Sequence, residues 1–181
     1  MTRRRYLTVT ALAAMGVAVA SAIETPTKLI WNATASAPVG FYTVEPADRI
    51  EVPELVAIMP PEPLAAFMVA RGYVGRGVPL LKRVVGLPGQ RVCRAGRTIT
   101  VDGIEMGEAL ERDRIGRELP AWQGCRLIAP GEIFLMNWEV RDSLDGRYFG
   151  PIPASSVIGR AVPLWTDEEG VGRFEWRAPT H

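Results

Sequence analysis

Histidine is nearly absent from this chain. The single one, His181, is the last of 181 residues. A Ser-His-Asp arrangement would depend on a terminal residue, and chain ends are usually the least ordered part of a domain. A histidine-ligated metal site lacks its ligands for the same reason. Charge of one sign is lacking too. Lys and Arg number 21 against 20 Asp and Glu, a formal net charge of +1. Nucleic-acid binding, which rests on a basic surface, is not indicated. Cysteine is scarce, and neither Cys93 nor Cys125 has a histidine nearby to make it a catalytic thiolate. No internal repeat and no low-complexity tract is present. Nucleophilic catalysis here would need a base other than histidine, and no metal or cofactor is implied.

What is present begins with an apolar run. Arg3-Arg4-Arg5 precedes a stretch from Tyr6 to Ile23 without a charge, which Glu24 ends. Ala20-Ser21-Ala22 fits the small-residue cleavage pattern of a secretory signal peptide. The run also approaches the roughly 18–20 residues that span a bilayer. Cleaved or kept as an anchor, residues 1–23 predict export, with positive charge staying inside and Glu24 onward on the outer side. Residues 24–181 then form one domain, 48 % of the chain being apolar. The outer compartment permits a Cys93–Cys125 disulfide across what reads as an irregular insertion, about 93–125; two free thiols are the alternative.

Along the chain, Lys28–Trp31, Phe41–Val44, Leu55–Met59 and Leu80–Val85 read as strands, with Pro38-Val39-Gly40 a turn. Pro63–Arg71 is the one helical pattern, with Leu64, Phe67 and Met68 on a face and Pro63 in the first turn. Arg97–Val101 and Ile104–Met106 flank Asp102-Gly103, a hairpin signal. Glu108–Gln123 is charged and weakly periodic, an exposed insertion. Arg126–Ile128, Ile133–Met136, Val157–Val162 and Arg173–Trp176 complete the strands, with Asn137–Pro153 a loop. Short strands, Pro/Gly turns and one short helix predict a mainly antiparallel β fold preceded by the N-terminal helix.

Two stretches carry candidate chemistry. In Asn32-Ala-Thr34-Ala-Ser36-Ala-Pro38, small neighbours leave space beside the Ser36 hydroxyl. In Leu80-Leu-Lys82-Arg83-Val-Val85, a strand would turn Lys82 and Arg83 to opposite faces and could bury the lysine. Serine is a poor nucleophile until a base takes its proton, and lysine is such a base only when burial lowers its pKa. The Ser36 N–H and the Thr34 hydroxyl could hold a developing oxyanion. A third stretch, Arg141-Asp142-Ser143-Leu-Asp145-Gly-Arg147, offers a hydroxyl to orient the lysine and an Asp145–Arg147 ion pair to hold the loop. The plainer alternatives are a turn serine, a snorkelling lysine and a solvated loop.

In this order, Asn-x-Thr-x-Ser36-x-Pro-x-Gly-x-Tyr, Leu-Leu-Lys82-Arg-Val-Val-Gly-x-Pro-Gly and Ser143-x-Asp-x-Arg-x-Phe-Gly resemble the signal peptidase I superfamily. The likeness covers about residues 28–163 and is nearest to the TraF-type conjugal-transfer peptidases. It implies a signal peptidase I-like β fold and a Ser36/Lys82 dyad. It also implies an oxyanion site from Ser36 and Thr34, Ser143 orienting the lysine, and support from Asp142, Asp145 and Arg147. Two positions depart from the family: Asp145-Gly146-Arg147 stands for the usual Asp-Ser-Arg, and Met136-Asn137 for a commoner Gly-Asp. The implied activity is a serine endopeptidase on the periplasmic side of the bacterial inner membrane. Its implied partners are a pilin precursor, which such enzymes trim and join into a ring, and the conjugation machinery. A general leader peptidase and a non-catalytic, membrane-tethered component of that machinery are the alternatives. Self-cleaving repressors share the dyad logic but carry a DNA-binding module where this chain has its apolar segment.

Overall fold

The computed structural model describes residues 3–22 and 28–179. Helix α1 (Arg3–Ala22) contains the apolar run, with the side chains of residues 4–19 exposed. No described helix is long and apolar enough to cross a membrane. The end of the run at Ile23 and Glu24, and His181, lie outside the described residues.

The remaining chain is mainly antiparallel β. Strands β1 (Leu29–Asn32), β2 (Val39–Glu45), β3 (Leu55–Ile58) and β4 (Leu80–Gly86) belong to the larger of two sheets, with α2 (Glu62–Ala70) between β3 and β4. A smaller sheet follows, from β5 (Arg91–Ala95), β6 (Thr98–Val101), β7 (Ile104–Glu108) and β8 (Gly124–Leu127). The chain returns to the large sheet through β9 (Glu132–Leu135), a one-turn helix α3 (Gly146–Phe149), β10 (Ile152–Pro153), β11 (Val157–Asp167) and β12 (Glu175–Trp176). The large sheet runs β1-β2-β11-β3-β4-β9-β10, with β12 on β11; the small one runs β7-β6-β5-β8.

Strand β4 joins the cores. Its Leu81 packs with Tyr42, Leu55 and Ala161; Val84 packs with Val56, Ile58 and Ile133; Val85 packs with Val92, Ile128 and Phe134 beneath the small sheet. A strand buried on both faces needs apolar residues at successive positions, which explains the unbroken run around Lys82.

Three expectations change, and the open disulfide question closes. Pro38-Val39-Gly40 is not a free turn, because β2 begins at Val39. Gly40 has φ 151°, and a Cβ there would lie 2.2 Å from the Trp165 carbonyl oxygen. The stretch 93–125 is not irregular: β5, absent from the sequence reading, pairs with both β6 and β8. Its alternation is hidden because the second buried position, two after Val92, is the charged Arg94. Cys93 and Cys125 stand opposite each other in that pairing and are bonded. The Asn137–Pro153 loop contains α3, nucleated by Asp145, whose carboxylate accepts the Arg147 N–H.

Candidate active site

The loop joining β1 to β2 is organised by Asn32. Its Oδ1 accepts from the Thr34 N–H (3.2 Å) and the Thr34 hydroxyl (3.0 Å). Its Nδ2 donates to the carbonyls of Thr34, Ala37 and Pro38 at 2.8, 2.9 and 3.0 Å. The Tyr42 hydroxyl also donates to the Pro38 carbonyl, at 2.7 Å. Held this way, the loop presents Ser36 half-buried and Thr34 exposed, their hydroxyl oxygens 3.1 Å apart. Because the Thr34 proton goes to Asn32, Ser36 is the donor in that contact.

Lys82 projects from β4 and is only 4 % exposed. Its Nζ donates to the buried Ser143 hydroxyl at 2.8 Å. Burial pushes the Lys82 pKa down to about 8; the nearby Asp145 carboxylate partly opposes this and Arg147 adds to it. Arg83, one residue on, lies over the Trp138 ring instead, as strand alternation requires.

Asp145 and Arg147 form a buried ion pair, Nη2 to Oδ2 2.8 Å and Nε to Oδ1 2.9 Å. Arg147 also donates to the carbonyls of Asn137 (3.0 Å), Val140 (2.7 Å) and Arg141 (3.0 Å). The Ser143 loop is thus wrapped around one guanidinium. Gly146 between the pair is a packing requirement: a Cβ would lie 2.5 Å from the Phe134 ring. Asp142 stands apart from this network and pairs with the exposed Arg114, whose hydrogen bond keeps its carboxyl below the usual range.

Ser36, Thr34, Lys82 and Ser143 line one cavity of about 970 Å³. Its walls include Ile30, Met68, Leu80, Leu144 and Tyr148. The far wall comes from the 109–123 segment, docked on the end of α2. There Tyr73 donates to Asp113 (2.6 Å), and Arg117 binds both Asp113 (2.7 Å) and the Arg71 carbonyl (2.9 Å). A smaller cavity of about 250 Å³ touches Ser36 from the other side, beside Arg83, Asn137 and Trp138. Among the described residues no group of His, Cys, Asp and Glu could hold a metal ion.

Two buried residues stand out that the sequence reading did not assign. Asn32 builds the serine loop, and Asn137 links it to β4. A polar residue closing the apolar run Ile133–Met136 was the available signal for Asn137.

The family model for signal peptidase, peptidase S26, matches residues 2–165. The conjugal transfer protein TraF of Agrobacterium fabrum strain C58 is 38 % identical over 146 residues, 75 % of this chain and 81 % of that protein. The plasmid transfer protein TraF of Escherichia coli is 33 % identical over 147 residues, 74 % and 82 % of the two chains. A crystal structure of a signal peptidase I from Enterococcus faecalis V583 is 23 % identical and covers 62 % of this chain and 98 % of that one, with a TM-score of 0.37.

Proposed function

The chain belongs to the signal peptidase family, peptidase S26, a serine peptidase family, and we propose that it is an endopeptidase in which Ser36 attacks and Lys82 is the base. The observation that carries this reading is the buried Lys82 amine, held by a neutral hydroxyl and opening on the same cavity as Ser36. With a pKa near 8, a useful fraction of Lys82 is neutral at ordinary pH. One amine hydrogen stays on Ser143, which leaves the lone pair for the Ser36 proton. In the resting structure Ser36 and Lys82 share no hydrogen bond, so the Ser36 hydroxyl has to leave Thr34 and turn into the shared cavity for the transfer.

In the reaction, Lys82 takes the proton as Ser36 Oγ bonds to the scissile carbonyl carbon. The oxyanion is met by the Ser36 N–H and by the Thr34 hydroxyl, turned from Asn32. Collapse breaks the C–N bond, and the Lys82 ammonium returns its proton to the departing amine. Water then attacks the acyl-enzyme and frees the serine. An amine in place of water would form a new peptide bond, and a terminal amine of the same substrate would close a ring.

The TraF relatives point to conjugation, so the substrate we propose is the pilin precursor of a transfer apparatus, met at the outer face of the inner membrane with residues 1–23 directing export. The general leader peptidase has support in a signal peptidase I of Leptolyngbya laminosa, 34 % identical, but only over 45 % of this chain. Precursor mass in cells carrying wild type, Ser36→Ala or Lys82→Ala tests the reading. Shortening by wild type and none by either variant is expected, and a product one water lighter than the trimmed chain reports ring closure. Equal masses in all three strains overturn it. If only ordinary preproteins are cut, the leader peptidase takes its place. The rate should rise with pH along a limb centred near 8, as Lys82 loses its proton.

A further inference from the structure

We propose that Asn137 is a positioning residue that sets the separation of Ser36 and Lys82. The inference rests on the Ser36/Lys82 reading above. Asn137 is 5 % exposed, and its side-chain amide is fully engaged. Nδ2 gives one hydrogen to the Ser36 carbonyl and the other to the Leu81 carbonyl, at 3.1 Å. Oδ1 accepts the Arg83 N–H at 2.9 Å. The two β4 partners bracket Lys82, and the loop partner is the carbonyl of the nucleophile itself.

The reason for a side chain here lies in the sheet. In a strand, N–H and C=O groups of alternate residues face the same edge. On one edge of β4, Lys82 pairs with Val56 of β3. On the other, pairing with β9 begins only at Val84 against Leu135 and shifts register before Gly86 against Phe134. The Met136 N–H still reaches the Arg83 carbonyl, at 2.9 Å. Beyond it, the Arg83 N–H and the Leu81 C=O would be left buried without partners, a costly state. The Asn137 amide supplies both, acting as one more ladder rung, and its remaining hydrogen extends that rung to the serine loop.

The amide can point only one way. Exchanging its ends would set Oδ1 against two carbonyl oxygens and Nδ2 against an N–H. The backbone of Asn137 is fixed as well: its N–H donates to Asp145 at 3.1 Å and its carbonyl accepts from Arg147 at 3.0 Å. The buried ion pair therefore acts on the site through Asn137. Asn32 and Tyr42 bind the serine loop to its own hairpin; Asn137 ties it to the base strand.

The test uses the full chain and the pilin precursor, with Asn137→Ala, Asn137→Ser, Ser36→Ala and Lys82→Ala in parallel. Asn137→Ala removes the link without adding charge. Its plateau kcat should fall on the order of 10²-fold, the loss expected for an ångström-scale misplacement, with KM and the pH of the acid limb unchanged. Asn137→Ser keeps a neutral polar group beside β4, but its single short hydroxyl has one hydrogen and cannot serve both the Leu81 and the Ser36 carbonyls. Its plateau kcat should fall as far, and it carries the test should the alanine variant not fold. Wild-type plateau kcat per folded molecule in either variant, or a loss confined to KM, overturns the proposal. Full activity in Ser36→Ala or Lys82→Ala would instead overturn the dyad, a separate result.

Discussion

The two halves of the site are built differently. Ser36 sits half-buried on a loop held by a few side chains, chiefly Asn32, with Thr34 in solvent. Lys82 sits inside the molecule, on a strand that joins three core clusters, against a loop wrapped around the Arg147 guanidinium. The contrast follows the chemistry proposed for each. A nucleophile must meet a polypeptide from outside and then carry it, so its surroundings must be open. A lysine is free of its proton near neutral pH only where water is kept out, so its surroundings must be dry and stiff.

Variants can break this contrast, starting with the buried half. Arg147→Ala leaves Asp145 buried and unpaired and frees several carbonyls. It should cost about 3–5 kcal/mol of stability, read by urea denaturation, with the Ser143 loop opening first. A loss below about 1 kcal/mol would mean that the loop is held otherwise.

Lys82→Met tests dryness through pH. The lysine pKa falls from 10.5 unfolded to about 8 folded. The folded state thus binds fewer protons between those values, and its stability rises with pH across that window. Below pH 8 the cost of the buried cation is present in full, about 3 kcal/mol. Lys82→Met should therefore be more stable than wild type at pH 7, the gap closing by about pH 10.5. A pH-independent difference in denaturation midpoints would place the wild-type ammonium in water.

Thr34→Val probes the open half. Loss of the hydroxyl should lower kcat on the order of 10²-fold, as for one oxyanion donor, with little change in Tm because the side chain is exposed. A large fall in Tm with kcat preserved would give Thr34 a structural task instead. Asp142→Asn should do least. Its partner Arg114 is largely exposed, and such pairs contribute under about 1 kcal/mol, so both Tm and kcat should stay near wild type. A larger effect would extend the rigid half to the 109–123 segment.

Much of this was legible in the sequence, though unevenly. Strands β3, β4 and β9 could be read because burial on two faces leaves unbroken apolar runs. The Asp102-Gly103 hairpin and α2 follow from local turn and helix chemistry. Strand β5 could not be read, since a charged residue, Arg94, takes a buried position beside Cys93, and only pairing with β6 and β8 makes it a strand. Gly146 departs from the family pattern, and only the packing shows what goes with it: a Cβ there would meet the Phe134 ring.

By itself the sequence determined the kinds of group available: a serine among small residues, a lysine in an apolar strand, an acid–base pair around a short turn, and no histidine placed to help. These are local properties of composition and periodicity. The tertiary structure decided which of them meet. Lys82 finds Ser143 across 61 positions, and Asn137 finds Ser36 across 101. Such contacts arise because strand pairing and core packing bring distant backbone edges together, and a buried N–H or C=O left over at an edge must be met by whatever polar side chain reaches it.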